Sequence, residues 1–188
     1  LLAAGIPYNT ALELIGKFAG MSMLIVFFPM VIINSLNTVL IPDLSKSVSK
    51  KDYASLERRI KNVLLISLVL GMCSLIICNT IPKELGTMLF KRDDLGPYIK
   101  FASYSAPLFY TAVATYGILN GIGRHNILLR NSVSISVLEI ILLFILTSIP
   151  SINILGYGIT MIVTSVLTLA ANLHEIKKHY EINISLIN

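Results

Sequence analysis

Windows of about 18 to 22 residues without Asp, Glu, Lys or Arg recur at 21–41, 62–81, 101–120 and 154–173, and a fifth, 132–149, is broken only by Glu139. Wound as α-helix at about 1.5 Å per residue, runs of this length match the thickness of a bilayer. The pattern predicts an all-α polytopic transmembrane helix bundle of about five spans. Between the runs, Thr10-Ala-Leu-Glu13 reads as a capping box opening an outer interfacial helix within residues 1–20, bent at Gly16 and Gly20. Residues 42–61 hold a second capping signal, Ser49 to Asp52, then Tyr53, Leu56, Ile60 and Val63 on one face with bases opposite. This predicts a cytoplasmic basic amphipathic helix at the membrane surface, carrying Lys50, Lys51, Arg58 and Arg59. Residues 82–100 mix Pro, Gly and both signs of charge and read as an outer loop, while 174–188 read as a cytoplasmic tail. The connections "GIGRHNILLRN" and "PSINILGYG" are short enough to make the last three spans antiparallel neighbours.

Composition places this pattern in lipid. Of 188 residues, 55% are hydrophobic and 13% charged, with a mean hydropathy of +0.78. Such a chain cannot cover its apolar residues with a polar shell, so the bilayer is its first partner. The net charge of +5 could point to nucleic acid, but the bases sit in the gaps between apolar runs without interleaved stacking aromatics, which excludes that partner. If the loop after the first span is cytoplasmic, Lys46, Lys50, Lys51, Arg58, Arg59, Lys61, Arg124, Arg130, Lys177 and Lys178 share that side, against Lys17, Lys83, Lys91, Arg92 and Lys100 on the other. That bias predicts a cell-membrane protein with its N-terminus outside and C-terminus inside. The chain opens on "LLAAGIPYNT", with no basic segment before a cleavable apolar one, which reads as a piece of a longer protein without a signal peptide.

Polar residues within the runs are the candidates for function. Pro29 lacks an amide hydrogen and predicts a kink with a freed acceptor at the carbonyl of Ile25. Asn34, Asn37 and Thr38 follow on one side of that helix and must face protein or a wet cavity; helix packing and the wall of a substrate path account for them equally. Pro107 predicts a second kink in a span where Ser103, Pro107, Thr111 and Thr115 recur every four residues, a spacing that favours close packing. Thr160, Thr164 and Thr168 read the same way. Glu139 is the acid within a span, with Ser132 and Ser136 on its face; proton or cation coupling and a structural hydrogen bond are both open. Cys73 and Cys78, five apart, fall on different sides of one helix and read as core residues, not a disulfide. His125, His174 and His179 lack metal-ligand spacing, and no Ser/His/Asp set, phosphate loop or CxxC appears, so no metal, cofactor or enzyme is expected.

The order of features, "FFP" in a charge-free helix ending "LIPDLSKS", a basic stretch, "ELGTMLF", the "ILNGIGRHN" turn and "PSINILGYGIT", resembles the stage V sporulation protein B family. That family belongs to the polysaccharide transporters and lipid-linked oligosaccharide flippases, related to the lipid II flippases and the multidrug and toxin extrusion transporters. The resemblance implies a chain that is part of the second lobe of a two-lobe transporter, with the missing first lobe as its partner. It implies alternating-access movement of a polyprenyl-diphosphate-linked sugar or peptidoglycan precursor in spore cortex or envelope synthesis. The five runs contain no Arg or Lys to hold a diphosphate, a departure from the cavity arginines of the lipid II flippases. Two other readings stand beside it: a cation- or proton-coupled exporter of small amphiphiles, motivated by Glu139, and a non-transporting scaffold for envelope synthesis, motivated by the basic stretch.

Overall fold

An apolar chain without water around it closes its amide hydrogen bonds internally, and the regular elements among the described residues are all helical. The structure, a computed structural model, describes residues 1–180 except the side chains of Ala3, His179 and Tyr180. Of the predicted tail, residues 181–188 and the His179 side chain lie outside the described residues. After a 3-10 turn at Leu2–Ala4 come α1 (Tyr8–Ile15), a π-helical stretch (Gly16–Ser22), α2 (Met23–Phe27), α3 (Met30–Ser49) and α4 (Tyr53–Thr80). The chain continues through α5 (Pro82–Phe90), α6 (Gly96–Ser103), α7 (Ala106–Gly121), α8 (His125–Ser148) and α9 (Leu155–Tyr180). Among the described residues, four stretches are long and apolar enough to cross a membrane: Tyr8–Phe27, Tyr53–Thr80, His125–Ser148 and Leu155–Lys178. This is a multi-pass helical membrane protein.

Two stretches fold differently from the pattern's expectation. Helix begins at Tyr8 and passes without interruption through Gly16 and Gly20, whose expected bend is taken up as the π-helical stretch. The run starting at Met21 is therefore entered from helix, and is interrupted at Phe28 and Pro29 before α3 begins. Residues 42–61 do not form one surface helix. Helix α3 continues through Pro42 to Ser49, the chain reverses at residues 50–52, and α4 runs from Tyr53 directly into the next apolar run. The face of Leu56, Ile60 and Val63 is buried in the bundle, which removes more apolar surface from the interface than lying on the membrane would. Asp52, not Ser49, caps α4, its carboxylate accepting the Ser55 N–H at 3.1 Å. The expected outer loop at 82–100 holds α5 and the start of α6.

Side-chain contacts fix the directions of the helices. Ser74 and Tyr110 lie beside Val26, Asn37 beside Val113, and Ser45 beside Gly121, so α2–α3 run parallel to α7. Gly71 meets Pro107 and Asn79 meets Ser103, so α4 runs the opposite way. Gly158 meets Phe101 and Asn172 meets Thr115, which aligns α9 with α6–α7; Gly156 against Leu146 and Arg130 against Glu175 set α8 antiparallel to it. One end of the bundle collects Lys17, Asp94, Tyr98 and Tyr157, and the other Asp43, Arg59, Arg130 and Glu175. These are called the Lys17 end and the Asp43 end.

Helix α7 is the bundle's centre. Its Ala106, Ala114, Thr115, Gly117 and Gly121 are buried, and such small residues let α3, α4 and α9 approach its backbone closely. Helix α8 is the opposite case: none of its residues is buried, and Val133, Val137, Ile140 and Phe144 are exposed for lipid contact.

Candidate functional site: polar positions within the bundle

A proline removes one helical donor, and the acceptor left without it must find another partner in a medium without water. At Pro29 the interruption leaves the Phe28 N–H on Ile25 O at 3.4 Å, while the carbonyl that draws side chains is one residue along, at Val26. It accepts from Ser74 Oγ at 2.8 Å and from the fully buried Tyr110 Oη at 2.7 Å. The break is thus sewn to α4 and α7. At the second proline the helix breaks at Tyr104 and Ser105, and Pro107 stands in the first turn of α7, where its missing N–H costs nothing.

Asn34, Asn37 and Thr38 do not form one surface. Asn37 turns to α7, donating weakly from Nδ2 to Val113 O at 3.4 Å, with Oδ1 buried and without a hydrogen-bond partner among the described residues. Asn34 and Thr38 are exposed on the other side of α3, where Thr38 Oγ1 donates to Asn34 O at 3.0 Å. Ser35 is exposed too, its hydroxyl donating to Val31 O at 2.9 Å, so Asn34, Ser35 and Thr38 make a short uncharged polar stripe flanked by the exposed Val31, Ile32 and Val39. The Ser35 and Thr38 hydroxyls are satisfied by their own helix, so the group that hydrocarbon would penalise here is the exposed Asn34 amide.

The second polar locus lies between α7, α8 and α9. A cavity of about 180 Å³ is lined there by Tyr116, Ser132, Ser136, Glu139, Ser165 and Thr168, among others. Helix α8 starts at His125, so Glu139 lies about 20 Å along a helix of about 36 Å, deeper than the charge-free run implied. It is half-buried, with Ser136 exposed at the rim. Ser165 is buried, and its hydroxyl has no hydrogen-bond partner among the described residues. Thr160 and Thr164, by contrast, donate to the carbonyls four residues back at 2.8 and 3.0 Å, so these two hydroxyls are satisfied within α9, Thr164 at the cavity wall.

Further groups carry polar structure that the spacing did not reveal. Asn172, fully buried, donates to Thr115 Oγ1 at 2.8 Å and accepts from Asn131 Nδ2 at 3.0 Å, joining α7, α8 and α9. Asn79 Nδ2 donates to Ser103 Oγ at 2.8 Å between α4 and α6. An amide or a tyrosine in the middle of an apolar run is the available signal, since each needs a partner there. Among the surface bases, Lys50, Lys51 and Arg58 are exposed, while Arg59 is half-buried and ion-paired with Asp43 across the α3–α4 turn. Cys73 and Cys78 are free thiols. No group of three His, Cys, Asp or Glu able to hold a metal occurs among the described residues.

No protein-family model matches the chain, and no solved structure gives a significant match. Among curated proteins it is similar to stage V sporulation protein B of Bacillus subtilis (strain 168), 23% identical over 186 residues that cover 99% of this chain and 36% of that protein. It is also 24% identical to sporulation protein YkvU of the same strain, over 99% of this chain and 42% of that protein. The chain therefore spans about two-fifths of the length of the curated relatives it matches. Alignment across nearly its whole length supports the resemblance to a stage V sporulation protein B-like family.

Proposed function

We propose, from its similarity to stage V sporulation protein B, that this chain is much of the second lobe of a two-lobe transporter that flips a lipid-linked oligosaccharide or peptidoglycan precursor across the cell membrane during sporulation. The observation that carries the reading is the exposed, uncharged stripe of Asn34, Ser35 and Thr38 on α3. Its residues have neither the apolar character of a lipid-facing surface nor a covering helix among the described residues. A second lobe set against α3 turns that stripe into the wall of a water-filled path, where hydroxyls and amides exchange hydrogen bonds with a passing sugar. On this reading the N-terminal, Lys17 end faces outside and the Asp43 end the cytoplasm. The diphosphate is then held by the first lobe or by the loops.

Reconstitution of the full-length protein in vesicles, with a fluorescent polyprenyl-diphosphate sugar in one leaflet, tests the proposal. Protein-dependent movement that slows in Asn34→Leu and Thr38→Val supports it; no movement under any ion gradient contradicts it.

A second reading, coupling of transport to a proton or cation, is favoured by the membrane-buried cavity that joins Glu139 to the unpartnered Ser165 hydroxyl. Glu139→Gln then abolishes the dependence of transport on an ion gradient. Unchanged coupling in that variant removes the reading while leaving the first intact.

A further inference from the structure

At the Lys17 end, the short helix α5 is pressed against the turn that follows it. An added Cβ at its Gly86 would fall 2.7 Å from Arg92 O and 3.2 Å from Leu95 Cβ. With one side committed there, the side carrying Leu85, Met88 and Leu89 overhangs a gap between α2 and α4, and the interrupted turn at Phe28 and Pro29 forms the deeper end of that gap. The result is a groove of about 390 Å³ lined by Leu24, Phe28, Ile77, Leu85, Met88 and Leu89, among others, a volume in the range of small-molecule sites.

Water does not fill this groove. Ser74 and Cys78 are the polar side chains on its wall, and the Ser74 hydroxyl is already given to Val26 O at 2.8 Å. A water held in a cavity needs two or more polar partners, so the groove stays dry. Leu24, Phe28, Ile77 and Met88 are exposed at its rim, and Leu24 and Ile77 belong to stretches that cross the membrane, so it opens to the hydrocarbon of the bilayer. A chain that enters exchanges moving neighbours for fixed walls on three helices, and the gain is dispersion contact.

The membrane surface decides which chain. Lys91 follows Phe90, the last groove residue of α5, and ends that helix with φ 53°; it is exposed and in no ion pair among the described residues. Of the nearby acids, Asp94 is held by Arg92 and Lys17, and Asp93 is exposed in the turn. Glu84 lies about 10 Å back along α5. An unpaired ammonium beside a hydrocarbon groove complements a phosphate at the head of a chain. Bilayer phospholipids supply chain and phosphate together in large excess over other membrane components, and mass action fills an open site with the abundant ligand.

We infer that this groove holds one acyl chain of a bilayer phospholipid as a fixed part of the fold, with the phosphate of that lipid against Lys91. The groove is walled by α2, α4 and α5, whereas the polar stripe lies on α3 and the Glu139 cavity between α7, α8 and α9. The inference does not rest on the transport reading, and a failure of flipping leaves it standing.

Native mass spectrometry of the full-length protein released from detergent, with palmitoyl-oleoyl phosphatidylglycerol as the probe, tests the inference. Met88→Trp lays a ring across the groove from its exposed rim, and Lys91→Asn removes the ammonium while tolerating the left-handed backbone. The intact protein is expected to retain a phospholipid through delipidation. That lipid should be lost in Met88→Trp and held about fivefold less tightly in Lys91→Asn, both variants keeping the parent's helical circular dichroism. Lys91 is an exposed position, so its variant reads out the site even if Met88→Trp does not fold. Absence of a retained phospholipid in the intact protein overturns the inference. So does equal retention in either folded variant, or displacement of the phospholipid by an equal concentration of undecaprenyl phosphate.

Discussion

Asn37 lays its side-chain amide directly on the bare backbone of Gly117, where an added Cβ would collide with Oδ1 and Cγ. One turn further, Gly121 receives Leu44 in the same way, its added Cβ falling 2.9 Å from Leu44 Cβ. Helices α3 and α7 therefore touch through Gly117 and Gly121, four residues apart. Gly117→Ala is expected to destabilise the bundle by about 1–3 kcal/mol, since neither the α7 backbone nor a buried amide can withdraw. Asn37→Ala in the same protein should recover much of the loss by making room. Thermal unfolding in detergent, followed by circular dichroism, checks both.

The Val26 carbonyl holds two donors, Ser74 Oγ and Tyr110 Oη, and this redundancy has a measurable consequence. Tyr110→Phe alone leaves the carbonyl satisfied by Ser74, and Ser74→Ala leaves it satisfied by Tyr110, so each should cost only about 0.5–1.5 kcal/mol. Together they strand a buried acceptor beside the Pro29 break. The double variant is expected to lose about 1 kcal/mol or more beyond the sum of the singles, a coupling read from a double-mutant cycle of unfolding free energies.

Much of this arrangement is legible in the residues. The apolar runs follow from composition, helix is interrupted at residues 28–29 and 104–105, close to the two prolines, and Ser132, Ser136 and Glu139 line one cavity. What the period cannot tell is which side of a helix meets a neighbour. Asn34, Asn37 and Thr38 lie close enough in helical angle to read as one face, yet Asn37 meets Gly117 while the other two are exposed. That difference is decided by where Gly117 allows α7 to approach, a long-range fact. The 42–61 stretch misleads for a similar reason. Its amphipathic pattern is real, but an apolar face at Leu56, Ile60 and Val63 serves a bundle as well as a membrane surface. The turn at residues 50–52, with Lys51 at φ 55°, carries no glycine to announce it.

The Lys17 end is closed by charge, and its stability should depend on pH in a known direction. Asp94, beside Arg92 and Lys17, has its carboxyl held well below the usual carboxylate range. A group whose folded pKa is depressed contributes stability that is present above its unfolded value, about 3.9, and lost as pH falls through the lower folded value. The thermal midpoint of the parent protein should therefore exceed that of Asp94→Asn near neutral pH and approach it as pH drops from about 4 towards about 2. Salt should narrow the neutral-pH difference, because the pair is partly exposed.

The central claim is that the polar stripe of α3 faces a water-filled path in the complete protein. Cysteines placed singly by Asn34→Cys and Thr38→Cys, in a full-length background lacking Cys73 and Cys78, test it against Val137→Cys and Phe144→Cys on the exposed face of α8. With a membrane-impermeant maleimide applied to the protein in vesicles, the account predicts modification at 34 and 38, changing when substrate is added, and none at 137 and 144. Protection of 34 and 38 equal to that of the lipid-facing controls, with and without substrate, would contradict it.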